Sequence, residues 1–329
     1  MEYVLPPKLR PGSHVRVVAP ARSRAMITAG NSNAVIAERH LADLGLRISY
    51  GEHVDERDRY DSSSIASRVA DLHAAYADPS VDGLLTVIGG FNSNELLPHL
   101  DFDLIGDNPK ILCGYSDITA LQNAITATTG VVTYSGPHWS TFGMRDLGER
   151  TREWFRQTLM SDDPVVVEPG TWFTDDLWFL DQANRTQLPT DGWWVLHPGQ
   201  VEGRIVGGNL CTLNLLQGTP YMPPIADMVL FVEDDEISNP VEFRRDIHSL
   251  MQQPGAETVR ALVIGRFQQA SEVSREDLRA LVEDIPSLSG KPVLANVDFG
   301  HTNPAMTFPI GGTVQVVATE NPRLTLTQH

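Results

Sequence analysis

Four stretches of the chain carry residue types that could do chemistry together. Ser116 lies in KILCGYSDITALQNAITA (110–127), where a short apolar run (Ile111, Leu112, Cys113) meets an abrupt Gly114-Tyr115-Ser116-Asp117 corner. Apolar residues at helical spacing follow at once: Ile118, Leu121, Ala124 and Ile125. A serine on such a turn holds its hydroxyl clear of the sheet, beside helix N–H groups able to stabilise an oxyanion. Glu233 ends the apolar run from Met228 to Val232, His301 follows PVLANVDFG, and Gly89-Gly90 end GLLTVI. Serine, carboxylate and histidine at three strand ends are what acyl transfer through a covalent intermediate requires. Glycines beside the nucleophile let backbone N–H groups approach the carbonyl oxygen.

Each piece also has a plainer reading. Ser116 could be only a helix N-cap, with Asp117 complementing the helix dipole. Glu233 begins an acidic run (EDDE) of the kind that ends solvated strands, and His301 precedes Thr-Asn-Pro as a turn residue would. Gly89-Gly90 could form a tight turn, as could Gly207-Gly208, with Asn209 capping the next helix. No G-x-G-x-x-G follows the first strand, and position 118 is Ile where G-x-S-x-G needs glycine. The residues by themselves lead to a two-domain α/β protein with serine-hydrolase chemistry in view.

The elements that must position these residues alternate. Strands are expected at Val15–Ala19, Arg47–Tyr50, Gly83–Ile88 and Val131–Tyr134, besides the one before Ser116. Helices are expected at Asn33–Leu44 and Ser64–Tyr76, and another starts within Asn94–Leu100. Apolar strands alternating with helices predict a parallel sheet covered on both faces, with its site at the strands' carboxyl ends. After helical Arg150–Leu159 and a short Val165–Val167 strand comes a long irregular tract. It holds Trp172, Trp178, Trp193 and Trp194, four of the chain's six tryptophans, and predicts a binding loop, a lid or an interdomain crossing. The second half alternates less regularly. Strands are expected at Val201–Val206, Met228–Val232, Ala261–Phe267 and Val293–Val297, and helices at Leu210–Gln217, Pro240–Met251 and Ser274–Ile285. Val314–Val317 and Leu324–Thr327 are spaced as a closing hairpin. The expected division is an N-terminal α/β domain (1–150), a tryptophan-rich linker (151–195) and a smaller mixed α/β domain (196–329).

Composition bounds the partners. With 329 residues the chain is long for a single core, and 25 Lys+Arg against 42 Asp+Glu give a net charge of −17. Such a chain is repelled by phosphate backbones and anionic membrane surfaces, so no nucleic acid and no membrane partner is expected. No apolar window reaches membrane-spanning length and no signal peptide is evident. Cys113 and Cys211 lie in apolar surroundings without CxxC spacing, which predicts buried free thiols and suits the cytosol.

Five segments add a family resemblance: IGGFNSNELLPHLDFDLI (88–105), NPKILCGYSDITALQNAI (108–125), EGRIVGGNLCTLNLLQGTPYMP (202–223), VLFVEDDE (229–236) and NVDFGHTNP (296–304). Together they resemble the LD-carboxypeptidase family of serine peptidases (S66-type). The NSNELL loop, the tryptophan-rich linker and GGNLCTLNLLQGT resemble its microcin C immunity (MccF-like) branch. The resemblance implies an N-terminal domain like class I glutamine amidotransferases, a smaller C-terminal domain, and a site at their junction. It implies a Ser-Glu-His triad falling on Ser116, Glu233 and His301, with Asp234 as second candidate for the carboxylate. The oxyanion hole maps to the N–H groups of Gly90 and Asp117. No metal or cofactor is implied. Trp178 or Trp172 is implied to stack on a nucleotide base, with Asn209 also among the substrate-binding candidates. The implied substrate is a small peptide or aminoacyl-nucleotide, cleaved at an amide by a cytosolic homodimer. Cleavage of the L–D bond of a muropeptide stem is the alternative. A non-catalytic ligand-binding protein is the alternative of another class.

Overall fold

The apolar runs fall into two main sheets in the computed structural model, which describes residues 2–28 and 33–329. In the first, β1 (His14–Val18), β2 (Arg47–Tyr50), β3 (Gly83–Thr86), β4 (Ile111–Gly114) and β5 (Thr133–Ser135) run parallel in the order β5-β4-β3-β1-β2. β3 and β4 are buried at every residue, as parallel strands covered on both faces must be. Strand order reverses between β1 and β3, so the loops leaving their carboxyl ends border the crevice where such sheets receive ligands.

The second sheet is mixed. β6 (Val165–Val167) lies at one edge, and the small β7 (Trp172–Phe173) and β8 (Leu188–Pro189) pair only with each other. β9 (Trp194–His197), β10 (Gly199–Asn209), β11 (Met228–Glu233), β12 (Ala261–Gly265) and β13 (Val293–Val297) follow. β10 to β13 run parallel, with β9 antiparallel at one end of the group. β14 (Phe308–Ile310) crosses back to pair antiparallel with β5, closing the first sheet's edge. β15 (Thr313–Ala318) and β16 (Arg323–Gln328) form the expected closing hairpin and connect β10 to β6.

The helix Thr119–Thr129 is buried from Thr119 through Thr126. Its Leu121, Ala124 and Ile125 share one core with Leu112 of β4 and with Val206, Leu230 and Val232 of the second sheet. The serine corner is therefore anchored against both sheets. Helices Ile65–Ala77, Pro240–Leu250 and Arg275–Glu283 begin at side-chain caps from Ser64, Asn239 and Ser274, the last with the expected Ser274/Asp277 capping box.

Several expectations are corrected. Asn94–Leu100 does not start an α-helix: Ser93–His99 is a 3-10 segment containing Pro98, which lacks the N–H an α-helix would use. Gly207-Gly208-Asn209 is no turn but the end of β10, with Asn209 paired to Glu233 across the ladder. The Leu210 helix stops at Asn214. Both cysteines are free and Cys113 is buried, but Cys211 is exposed. Among the described residues, no helix is long and apolar enough to cross a membrane.

Candidate active site

β4 delivers the serine. Tyr115 is extended (φ −148°, ψ −167°), then Ser116 turns at φ +60° into the 3-10 turn Ser116–Ile118 ahead of the Thr119–Thr129 helix. A left-handed non-glycine residue costs on the order of 1–3 kcal/mol and persists only where its surroundings fix it. Here the buried Asp117 carboxylate accepts the N–H groups of Asn92 (3.1 Å) and Ser93 (2.9 Å), and the Ser93 hydroxyl donates to the Asp117 carbonyl (2.5 Å). The capping reading of Ser116 does not hold, because no side chain caps either helical start. Asp117 is likewise committed to the glycine loop. Burial raises its pKa, against the lowering effect of the Ser93 and Asn92 donors.

Gly89 overhangs this corner. A Cβ there would lie 3.0 Å from Ser116 Cβ, 3.1 Å from Ser116 Oγ and 3.5 Å from the Asp117 nitrogen, so any side chain would fill the space over the hydroxyl. Among the described residues, the N–H groups of Gly90 and Asp117 donate to no acceptor. Unpaired donors beside a serine hydroxyl are what an oxyanion hole needs.

The carboxylate and the imidazole come from the other sheet. Glu233 ends β11 and is buried, and its Oε2 lies 2.7 Å from His301 Nδ1. Gly300, at φ +105°, makes this approach possible: a Cβ there would sit 2.8 Å from Glu233 Oε2. With Nδ1–H donated to Glu233, Nε2 is left as the basic nitrogen. Burial lowers the pKa of His301, but the Glu233 carboxylate, followed by Asp235 and Asp234, raises it to a net value above the usual 6.5. Asp234, the second carboxylate candidate, accepts instead from Asn209 Nδ2 (3.1 Å) and the Asp235 N–H (3.1 Å). Its pKa is pushed up to about 7, first by burial and then by the charge of Glu233.

Tyr115 joins the two halves. Its ring lies edge-on to His301, with centroids 5.2 Å apart, and stacks on His138 at 4.4 Å. His138 Nδ1 lies 2.7 Å from Thr86 Oγ1, which itself donates to the Cys113 carbonyl, so the imidazole is the donor of that pair. Burial, then the neighbouring His301, push the pKa of His138 down to about 3. Ser116 Oγ has no hydrogen bond to His301 in the described residues; such bonds are commonly long in the apo state and tighten with substrate. A narrow cleft opens on the histidine side, walled by Tyr115, Glu233, Gly300, His301 and Thr302.

Of the other candidates, Asn209 adjoins the carboxylate, paired with Glu233 across the β10–β11 ladder. Asn209 is buried as the cap of Leu210–Asn214, accepting from the Thr212 N–H, the Thr212 hydroxyl and the Cys211 thiol. Trp172 lies in β7 and Trp178 packs edge-on to Phe179 at 6.0 Å. Neither has a described hydrogen bond or ring contact to Ser116, Glu233 or His301. Trp193 is structural: its Nε1 donates to buried Asp298 (2.8 Å), which also accepts the Gly170 N–H (3.1 Å) and pairs with Arg266 at 2.8 Å. Sequence reasoning missed the Asp117 tether, the Tyr115–His138 stack and Asp298, because each depends on side chains far apart in the chain.

Comparison with known proteins shows the family and the fold. Residues 15–136 match the model of the LD-carboxypeptidase N-terminal domain and residues 202–316 that of the LD-carboxypeptidase C-terminal domain. "Putative carboxypeptidase YocD" of Bacillus subtilis (strain 168) is 50% identical over 311 residues, covering 94% of this chain and 95% of the relative. The crystal structure of an MccF-like protein from Bacillus anthracis str. Ames superposes with a TM-score of 0.97 at 45% identity, over 99% of this chain and 100% of that one. The microcin C7 self-immunity protein MccF, solved with aspartyl sulfamoyl adenosine, superposes with a TM-score of 0.89 at 28% identity, over 99% of each chain. By class, then, this two-sheet α/β chain is a serine peptidase. It belongs to the LD-carboxypeptidase family.

Proposed function

We propose that the protein hydrolyses an amide through an acyl-enzyme formed on Ser116. The observation that carries this reading is the 2.7 Å bond from His301 to buried Glu233, with the His301 ring against Tyr115, the residue that precedes the strained, uncapped Ser116. His301 Nε2 takes the Ser116 proton as the hydroxyl attacks the carbonyl, and returns it to the leaving nitrogen as the amide breaks. Glu233 holds the imidazole's tautomer and stabilises its charged form. The N–H groups of Gly90 and Asp117 bind the oxyanion, each worth roughly 3–4 kcal/mol in the transition state. Water then attacks the acyl-enzyme with His301 again as base.

The substrate class proposed is an aminoacyl-nucleotide of the microcin C type. Supporting this is the likeness, over 99% of the chain, to the MccF structure holding aspartyl sulfamoyl adenosine. Trp178 or Trp172 would stack on the base, and Asn209 would offer its remaining amide N–H. The family resemblance adds a cytosolic homodimer, which sedimentation would test. The LD-carboxypeptidase description of both matched domains favours one second reading, cleavage of the L–D bond of a muropeptide stem. Hydrolysis assays on aspartyl sulfamoyl adenosine and on a muramoyl tetrapeptide separate them. Turnover of the nucleotide compound is expected; turnover of the stem alone would reverse the order.

A further inference from the structure

We propose that Arg22 is the anion-recognition residue of this site, taking the negative charge that a substrate carries next to its scissile amide. The proposal deepens the amide-hydrolase reading and rests on it.

Arg22 follows β1, and Gly89-Gly90 follow β3, the two neighbouring strands between which the sheet order reverses. The crevice outside those carboxyl ends is where sheets of this order bind ligands. The two loops touch. The Arg22 N–H donates to the Gly89 carbonyl at 3.3 Å, and a Cβ on Gly90 would lie 3.3 Å from Arg22 Cγ. The arginine thus packs on the glycine whose N–H faces the proposed oxyanion.

Among the described residues its charge is unanswered. Arg22 Nε is buried without a hydrogen-bond partner, and no described acceptor or carboxylate pairs with the guanidinium. Acidic residues outnumber basic ones 42 to 25 in this chain, and Arg24, two positions on, is paired with Asp55 at 2.5 Å. A partly desolvated, unpaired guanidinium is costly. Its planar fork matches a carboxylate, sulfamate or phosphate oxygen pair, which points to an anion supplied by the ligand.

Both proposed substrate types supply one in the same place. In a carboxypeptidase substrate the leaving amino acid carries its carboxylate on the carbon attached to the scissile nitrogen. In an aminoacyl sulfamate the sulfonyl group is bonded to that nitrogen directly, and the charge left by the acidic N–H spreads onto the sulfonyl oxygens. One arginine beside the oxyanion loop would serve either chemistry, reading charge close to the bond rather than the remainder of the leaving group.

The test compares wild type with Arg22→Met and Arg22→Lys on paired substrates. One pair is a peptide stem ending in a free D-alanine carboxylate and its C-terminal amide. The other is aspartyl sulfamoyl adenosine and an aspartyl alkylamide, whose leaving group carries no negative charge. The readout is the ratio of kcat/KM, anionic over neutral leaving group, which cancels any general loss of activity. Arg22→Met is expected to lower that ratio roughly 10- to 100-fold, the range of one charge-assisted hydrogen-bonding pair. Arg22→Lys lowers it less and carries the test if Arg22→Met fails to fold. A fall in the peptide pair assigns a carboxylate, in the nucleotide pair a sulfamate or phosphate, and in both the shared chemistry. An unchanged ratio in both pairs overturns the proposal. Calorimetry in a Ser116→Ala background reads the same residue without turnover: aspartyl sulfamoyl adenosine or the carboxylate stem should bind at least tenfold more weakly once Arg22→Met is added. Arg22-dependent binding by a wild type that hydrolyses nothing sinks only the hydrolase reading, whereas hydrolysis with Arg22-independent recognition sinks only this one.

Discussion

His301 must be neutral to accept a proton, and its surroundings hold it charged to a higher pH than an ordinary histidine. Glu233 is the main raising influence against burial, so the acid limb of kcat/KM is expected above pH 6.5. Glu233→Gln removes that influence and leaves burial, so the limb should move to lower pH while kcat falls. A pH–rate series on both proteins checks this; a limb that stays in place would show that Glu233 does not face the working base. Asp234 gives a second pH signature. Its folded pKa of about 7 lies above the ordinary 3.8, so the folded state binds the proton more tightly. Stability from this group is therefore full below about pH 4 and is lost as pH rises through 7. Urea unfolding at pH 5 and pH 8 should show that loss in wild type and much less of it in Asp234→Asn. At this scale the residue types were legible, since serine, glutamate and histidine all stand at strand ends. The choice between Glu233 and Asp234 was not, because neighbours at a strand end point to opposite faces and only the resemblance set the register.

At the scale of the element, the site depends on two loops held at fixed separation. Gly89→Ala would place a methyl 3.1 Å from Ser116 Oγ. The expected result is a kcat lower by roughly 10²–10³, comparable to losing one oxyanion donor, with an almost unchanged melting temperature. Asp117→Ala should do both kinds of damage: it leaves the Asn92 and Ser93 N–H groups unpaired, at about 1–3 kcal/mol, and frees the glycine loop. Denaturant titration beside activity would separate the two effects. The sequence showed the serine corner and its helix because an apolar run and a 3.6-residue period are both local signals. It did not show Ser93–His99 as a 3-10 turn, where Pro98 sits inside an otherwise helical pattern. Nor did it reveal β14, whose three residues find a partner in β5 far back in the chain.

Across the whole molecule, the two sheets meet around the serine helix, and the tryptophan-rich linker is pinned where the histidine strand ends. Asp298, fully buried and three residues before His301, receives Arg266, Trp193 and the Gly170 N–H at one carboxylate. Asp298→Ala would strand a buried arginine, at roughly 3–5 kcal/mol, and loosen the loop carrying His301. Lower stability together with lower kcat is expected, measured by urea unfolding and turnover; an unaffected kcat would detach the linker from the chemistry. Tryptophan enrichment marked this linker as special in the sequence. That Trp193 serves as a structural anchor could not be read there, since its partner lies in another element.

The central claim is that Ser116 is a nucleophile activated by His301 and Glu233. Intact-protein mass spectrometry after exposure to a fluorophosphonate tests it most directly. Wild type should gain one adduct, located on the peptide containing Ser116, and Ser116→Ala should gain none. A folded wild type that stays unmodified, or a Ser116→Ala variant labelled to the same extent, would contradict the account.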